Sequence, residues 1–410
     1  MAVCCAALIA LPFFRAHLEV PEYAYLIVIL LLGYIGVFRV ITTNDFRVRK
    51  ELVAFCFGLV LFSAWMGFSC IWSVSRNQYI TDMQRLMLFS LLVISLICAC
   101  SRRTPRLVIT YIIIFSLIAS SVVIWAYVKL GDLRGYHLLF HQSYLVFATL
   151  IGLGVVVSFL NMLSQDKGKR LNGPVGLVLL SGLGLSLARG ALISAMLVII
   201  LFSTYIVSKR YGSVWKRLLK MRLHKKQLTV ILGAVVFCIV AVAVALNVER
   251  THSRLYRLFS GAELREGGRI AWWANSIENI ARSPFIGHGL GSNGIMAGVG
   301  EDGYPHNLLL QVALDGGIIG VFLLIGWLAL PFKAFLRKGK GNFSAEWPVI
   351  LGGYTFVILE YMKSSNFYTA RSLVVLGVCA LLSAFGGPSS AVSGLRPQQR
   401  EKSKLTVVTH

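Results

Sequence analysis

Pro305-His306-Asn307-Leu308-Leu309-Leu310, running on to Asp315-Gly316-Gly317-Ile318-Ile319-Gly320, sets a titratable imidazole at the mouth of a long apolar run. That run, Asn307–Pro331, exceeds the about 20 residues a helix needs to cross a bilayer. It follows the one long polar loop of the chain, which carries six arginines. Pro305 favours a first helical turn, so His306 is expected at a helix start near an interface. Gly316-Gly317 weakens a helix interior and marks a division between a short lead-in helix and the span proper.

Working outward, apolar runs of similar length recur along all 410 residues. The chain is 57% hydrophobic and 14% charged, where a soluble protein carries about a quarter charged residues. No alternating pattern suggests a barrel, so the fold class is an all-α polytopic membrane protein. Twelve spans are expected, at Ala2–Phe14, Tyr23–Val40, Leu52–Trp72, Leu86–Cys100, Leu107–Val128, Leu138–Leu163, Val175–Leu187, Ala191–Val207, Leu228–Asn247, Asn307–Pro331, Trp347–Met362 and Leu373–Phe385. The organisation is then nine spans in 1–247, a large loop in 248–305 with amphipathic helices, three spans in 306–386 and a basic tail in 387–410.

Lysine and arginine orient the chain. With both termini cytoplasmic, the inside turns and tail hold 26 of the 40 basic residues, and the run from Lys209 to Lys226 is the densest. The net charge of +23 is therefore mainly a topology signal, next to anionic headgroups. It does not point to nucleic acid. The eight cysteines (Cys4, Cys5, Cys56, Cys70, Cys98, Cys100, Cys238 and Cys379) lie in or beside apolar spans and outside the large loop. They suggest neither a disulfide framework nor a zinc site.

Within the loop, Arg250, Arg254 and Arg257 recur at helical spacing as a basic stripe. Ile270, Trp273, Ala274, Ile277, Ile280 and Ala281 predict a second amphipathic helix, ended by Ser283-Pro284. Such helices lie at a membrane surface. Gly287-His288-Gly289-Leu290-Gly291-Ser292-Asn293-Gly294 reads as a flexible turn and lacks the strand and lysine of a nucleotide-binding loop. Arg189 falls between two apolar segments at the outer surface, where a cation calls for solvent or an anion.

His306-Asn307, nine residues, then Gly317-Ile318-Ile319-Gly320 resembles the histidine–glycine motif of bacterial O-antigen ligases. Arg254 through Leu258 is similar to the arginine-x-x-x-leucine signature of their periplasmic loop. Ser186-Leu187-Ala188-Arg189-Gly190-Ala191-Leu192 looks like the arginine turn of the wider ligase and polymerase superfamily, as do Gly268-Arg269, Trp273 and Pro284–Gly291. The motif-bearing resemblance covers about Leu177–Leu330, and the first six spans match only in topology and hydropathy.

The resemblance implies a bundle related to other lipid-sugar glycosyltransferases, a glycosyltransferase-C-like fold in the bacterial inner membrane. It implies transfer of a glycan from undecaprenyl diphosphate to a sugar of the lipid A–core, on the periplasmic side, with no nucleotide, metal or other cofactor. The residues suit that reaction. Negative charge grows on the leaving diphosphate and needs cations. The planar guanidinium of arginine matches phosphate oxygens with paired hydrogen bonds, in place of a metal. Arg189, Arg254 and Arg269 are the first candidates, then Arg257 and Arg265.

His306 is the candidate general base for the acceptor hydroxyl, kept neutral by nearby cations. Asn307 either orients an acceptor hydroxyl or caps the helix. His252 and His288 are alternative bases, and His137 and His141 line the same outer side. No carboxylate stands out as a nucleophile, so direct attack with inversion is expected. Asp315 and Glu360 are intramembrane acids. Asp315 lies on about the opposite helical face from His306, and Glu360 is spaced to pair with Lys363. A polymerase uses the same donor. A protein-glycosylating relative is disfavoured by the short tail. A lipid-glycan flippase fits the span count but lacks repeated halves or broken helix pairs.

Overall fold

The computed structural model describes residues 1–17, 23–43, 50–101, 103–130, 144–164, 169–186, 188–211, 269–301, 303–338, 344–363 and 366–385. Among them every regular element is helical. In chain order these are α1 (Ala2–His17), α2 (Tyr23–Thr43), α3 (Lys50–Phe68), α4 (Arg76–Ala99), α5 (Thr104–Leu130), α6 (Tyr144–Ser164), α7 (Lys169–Leu185) and α8 (Arg189–Tyr211). Then follow α9 (Arg269–Arg282), the short α10 (Asn293–Met296), α11 (Leu308–Lys338), α12 (Trp347–Tyr361) and α13 (Arg371–Phe385). Single 3-10 turns sit at Ser69–Trp72 and Phe367–Thr369.

Seven of the described helices are long and apolar enough to cross a membrane, and the chain is an integral membrane protein. Eleven of the twelve expected spans coincide with helices. The ninth, Leu228–Asn247, lies outside the described residues, as do Arg254, Arg257, Arg265, His137, His141, His252 and the basic tail. The fourth helix starts ten residues before its apolar run, at Arg76. Ser75 caps it there by accepting from the Gln78 amide at 3.3 Å.

In lipid, apolar side chains gain little from meeting each other, so close backbone approach and interhelical hydrogen bonds decide packing. α6 shows this best. It packs against α5, α7, α8 and α12. A Cβ added at Gly154 would lie 2.3 Å from Ser116 Cβ, and one at Gly152 would lie 2.6 Å from Phe356. Ser116 Oγ donates to the Leu150 carbonyl at 2.8 Å, and Ser120 Oγ donates to that of Val178 at 2.7 Å. α2 lies at the rim against α4 and shows lipid much of its surface, including Tyr34, Phe38 and Ile41.

The helices alternate between two ends. At one end Arg39 donates to the Ala99 and Cys100 carbonyls. At the other, Lys363 joins α12 to α8 through Ser194 at 2.8 Å, and Tyr368 meets Asp315 of α11 at 2.6 Å. Residues 284–301 close over this second end, held by the turn between α3 and α4. Leu290 N donates to Ser69 Oγ at 2.8 Å, Ser73 Oγ to the Leu290 carbonyl at 2.7 Å, and Ser75 Oγ to Glu301 at 2.5 Å.

The glycine-rich turn is not the flexible linker its composition suggests. α11 breaks at Gly317 (φ 62°, ψ −165°). In an unbroken helix the Ile318 and Ile319 amides would donate to the Leu314 and Asp315 carbonyls. Here those amides donate to Pro284 and Phe285 instead, at 2.8 and 3.4 Å. The two carbonyls accept from His288 and Gly289, at 2.7 and 2.9 Å. Trp65 Nε1 supplies the Gly316 carbonyl at 2.9 Å. Irregular backbone within a membrane protein persists only where protein repairs it, and residues 284–289 do so. The expected division at Gly316-Gly317 is therefore real.

Asp315 fastens the same junction. Fully buried, it accepts from the Asn293 backbone amide and side chain, both at 2.9 Å, and from Tyr368. Asp315→Ala strands these donors and is expected to cost about 2–5 kcal/mol, while Asp315→Asn, which keeps an acceptor, costs less. Thermal unfolding of the purified protein in detergent reads this, and equal losses would contradict the assignment. Gly317→Ala sets a Cβ 2.2 Å from the Phe285 carbonyl oxygen at a positive φ, and is expected to unfold at a lower temperature still.

Candidate functional site at the His306 end

His306 does not start a helix, as the preceding proline suggested. Its φ is +53°, and it is the one non-glycine described residue in the left-handed region. The helix begins two residues later at Leu308. Asn307 is its cap: Oδ1 accepts from the Leu309 and Leu310 amides at 3.0 and 3.1 Å. The cap requires non-helical backbone just before the helix, and His306 makes the turn that delivers it. A left-handed non-glycine residue costs free energy and survives where its surroundings hold it.

α9 does the holding. Arg269, Trp272, Trp273 and Ser276, spaced i, i+3, i+4 and i+7, form its inward face. Trp272 stacks on the His306 ring, with centroids 5.6 Å apart and planes 23° apart. Trp273 Nε1 donates to the Pro305 carbonyl at 2.9 Å. Tyr304 lies against His306 at 4.3 Å. Burial raises the Tyr304 phenol above its ordinary value, the nearby Tyr361 adds to this and the Arg269 charge opposes it. Three consecutive residues, 304 to 306, are thus gripped by one helical face. The expected amphipathic face of this helix is split: Trp273 and Ile280 turn inward, whereas Ile270, Ala274, Ile277 and Ala281 face out.

Of the sequence candidates, His306 and Asn307 are neighbours, Arg269 lies on the α9 face that holds residues 304–306 and acts on Tyr304, and Arg189 opens α8 at the same end. The side chain of Arg189 lies outside the described residues. The alternative base His288 has a structural partner: its Nε2 lies 2.8 Å from the Asn279 carbonyl. Glu360 does pair with Lys363, at 2.7 Å. Burial pulls the Lys363 ammonium below its ordinary value, and Glu360 opposes that. Lys363 also crowds Gly190, where an added Cβ would lie 2.8 Å from Nζ.

Sequence reasoning missed Trp272 and Tyr304 as neighbours of the imidazole, and Arg76 and Arg371 as helix-opening cations at this end. Arg371 lies over the Tyr25 ring at 3.8 Å. The adjacency of Tyr304 to His306 in sequence was the one available signal.

A family model described as O-antigen ligase matches residues 174–325. Over that segment the chain is similar to the O-antigen ligase/polymerase superfamily. No curated protein matches the chain. The matched segment runs from α7 through the break in α11 and contains Arg189, Arg269 and His306. The family indicates lipid-linked glycan transfer of the ligase or polymerase type by a glycosyltransferase-like membrane enzyme.

Trp272→Leu and Trp273→Phe each release part of the grip on residues 304–306. Both are expected to raise labelling of His306 by diethylpyrocarbonate several-fold, read by mass spectrometry, while the fold survives. Unchanged labelling in both variants would refute the grip.

Proposed function

We propose that the chain is an O-antigen ligase, transferring a glycan from undecaprenyl diphosphate to a sugar of the lipid A–core on the periplasmic face of the bacterial inner membrane. The carrying observation is the grip on His306 by the Arg269-bearing face of α9, within the segment that matches the ligase family. A fixed imidazole held by a helix face that also carries a cation fits a base working next to an anionic leaving group.

In this reading His306 takes the proton of the acceptor hydroxyl. The acceptor oxygen forms a bond to the anomeric carbon from the face opposite the diphosphate. The bond from that carbon to the diphosphate oxygen breaks, and undecaprenyl diphosphate leaves with the electron pair. One displacement inverts the anomeric configuration. Arg189 and Arg269, with Arg254 and then Arg257 and Arg265 from the loop, bind the diphosphate and stabilise its growing charge. Asn307 caps α11 through Oδ1, and its place beside His306 keeps it a candidate for the acceptor. The diphosphate ester supplies the driving force, so no nucleotide, metal or other cofactor enters the scheme. Twelve spans with cytoplasmic termini complete the proposed topology.

The test is a reconstituted assay with undecaprenyl-diphosphate glycan, lipid A–core acceptor and a chelator. Glycan joined to the core supports the ligase. A longer lipid-linked glycan shows a polymerase, and translocation with no new glycosidic bond shows a flippase. His306→Ala is expected to lower kcat by about 10²–10⁴, the range for loss of a general base, with binding of the donor little changed. Activity should fall on the acid side, where a general base is protonated. Full activity in His306→Ala would rule out its role as base. Arg269→Lys keeps the charge but loses the fork, and is expected to weaken transfer. Loss of activity with the chelator would overturn the arginine-for-metal reading.

A further inference from the structure

The outward face of α9 is apolar and has no partner among the described residues. Ile270 and Ile277 lie along it, Phe285 follows three residues after the helix ends at Arg282, and Ile277 and Phe285 are 62% and 70% exposed. The polar flank is separate: Glu278 and Arg282 pair with each other at 2.5 Å. An isolated exposed isoleucine needs no explanation, but a stripe along a whole helix does.

What covers the stripe follows from where it leads. Phe285 and Pro284 accept hydrogen bonds from Ile319 and Ile318 across the break in α11. Ile318 and Ile319 are themselves exposed, and the exposure continues down α11 through Phe322 and Ile325. Those residues lie in a span long and apolar enough to cross a membrane. The outer stripe of α9 therefore leads through Phe285 to the exposed apolar side of α11.

We propose that the outer face of α9 is seated in the bilayer at its interface, with lipid acyl chains and headgroup boundary covering Ile270, Ile277 and Phe285. Trp272 and Trp273, one turn away on the inner face, are of the type that membrane interfaces favour. The same helix grips residues 304–306 from its other side, so the membrane surface sets the height of His306. That consequence, and only that, rests on the reading of His306 as the base.

The test uses the full chain in lipid nanodiscs of phosphatidylethanolamine and phosphatidylglycerol. Benzoylphenylalanine replaces Ile270, Ile277, Phe285 or Glu278 one at a time, with Phe322 as the transmembrane control. Irradiation followed by mass spectrometry is expected to give lipid adducts at 270, 277 and 285 comparable with those at 322, and far fewer at 278. Three sites keep the result readable if one variant does not fold. Dimers of the chain cross-linked through 277 or 285 would overturn the proposal in favour of a second copy. So would absence of lipid adducts at all three while 322 labels. The same measurement on His306→Ala protein is expected to give the same adducts, so inactivity of the enzyme reading and failure of the seating are separate outcomes.

Discussion

The described structure turns on a helix that is broken and repaired in one place. At Gly317 α11 gives up the two hydrogen bonds that would join Ile318 and Ile319 to the previous turn, and residues 284–289 replace them with four. Unpaired backbone groups in an apolar setting cost far more than the hydrogen bonds they lose. The break and the glycine-rich turn are therefore one unit. Gly287 and Gly317 approach so closely that a Cβ on the first would lie 2.6 Å from the amide nitrogen of the second. Neither segment has a stable alternative without the other.

One face of α11 extends this unit toward the site. Asn307, Gln311 and Asp315 are spaced four residues apart and so share a side of the helix. Asn307 caps the helix, Gln311 exchanges hydrogen bonds with Asn366 and Phe367, and Asp315 binds Asn293 and Tyr368. Polar contacts in a bundle core lock register, because Gln311 and Asp315 would each leave unsatisfied partners if the helix slid. His306 is placed by those contacts from below and by α9 from above. The rigid attachment suits the proposed role of His306 as a base, for which placement matters.

The helices themselves were legible in the sequence because apolar length is a local signal, and so was the stop of α9 at Ser283-Pro284. The break was legible too, since two adjacent glycines inside an apolar run have few other uses. Asn307 was readable as a cap from its place before a leucine run. What failed was local inference about long-range partners. The left-handed turn at His306 follows from the cap of α11 and the stack on Trp272, 34 positions away in chain order, and Pro305 pointed the other way. The glycine-rich turn looked loose because nothing nearby revealed that it fills a gap in a helix. The inward turn of Trp273 could not be separated from the outward turn of Ile277, because both are apolar and a periodicity argument sees only one class.

The electrostatics of the His306 end are hard to explain by folding alone. Helix starts carry partial positive charge and favour acidic side chains by about 0.3–1 kcal/mol each at exposed positions. Four helices begin at this end with arginine instead: Arg76 in α4, Arg189 in α8, Arg269 in α9 and Arg371 in α13, and none of the four has an acid in its first turn. Lys363 adds a cation at the end of α12, partly neutralised by Glu360. Each arginine weakens its own helix slightly. Such a pattern is stable in a folded protein when something negative offsets it. Neutral sugar alone does not, and Glu360 is already paired with Lys363. In the proposed reading a diphosphate at the membrane surface would supply that charge, and arginines that are unfavourable for their helices would be favourable for such a ligand. The cost to helix stability and the affinity for an anion are then two sides of one arrangement.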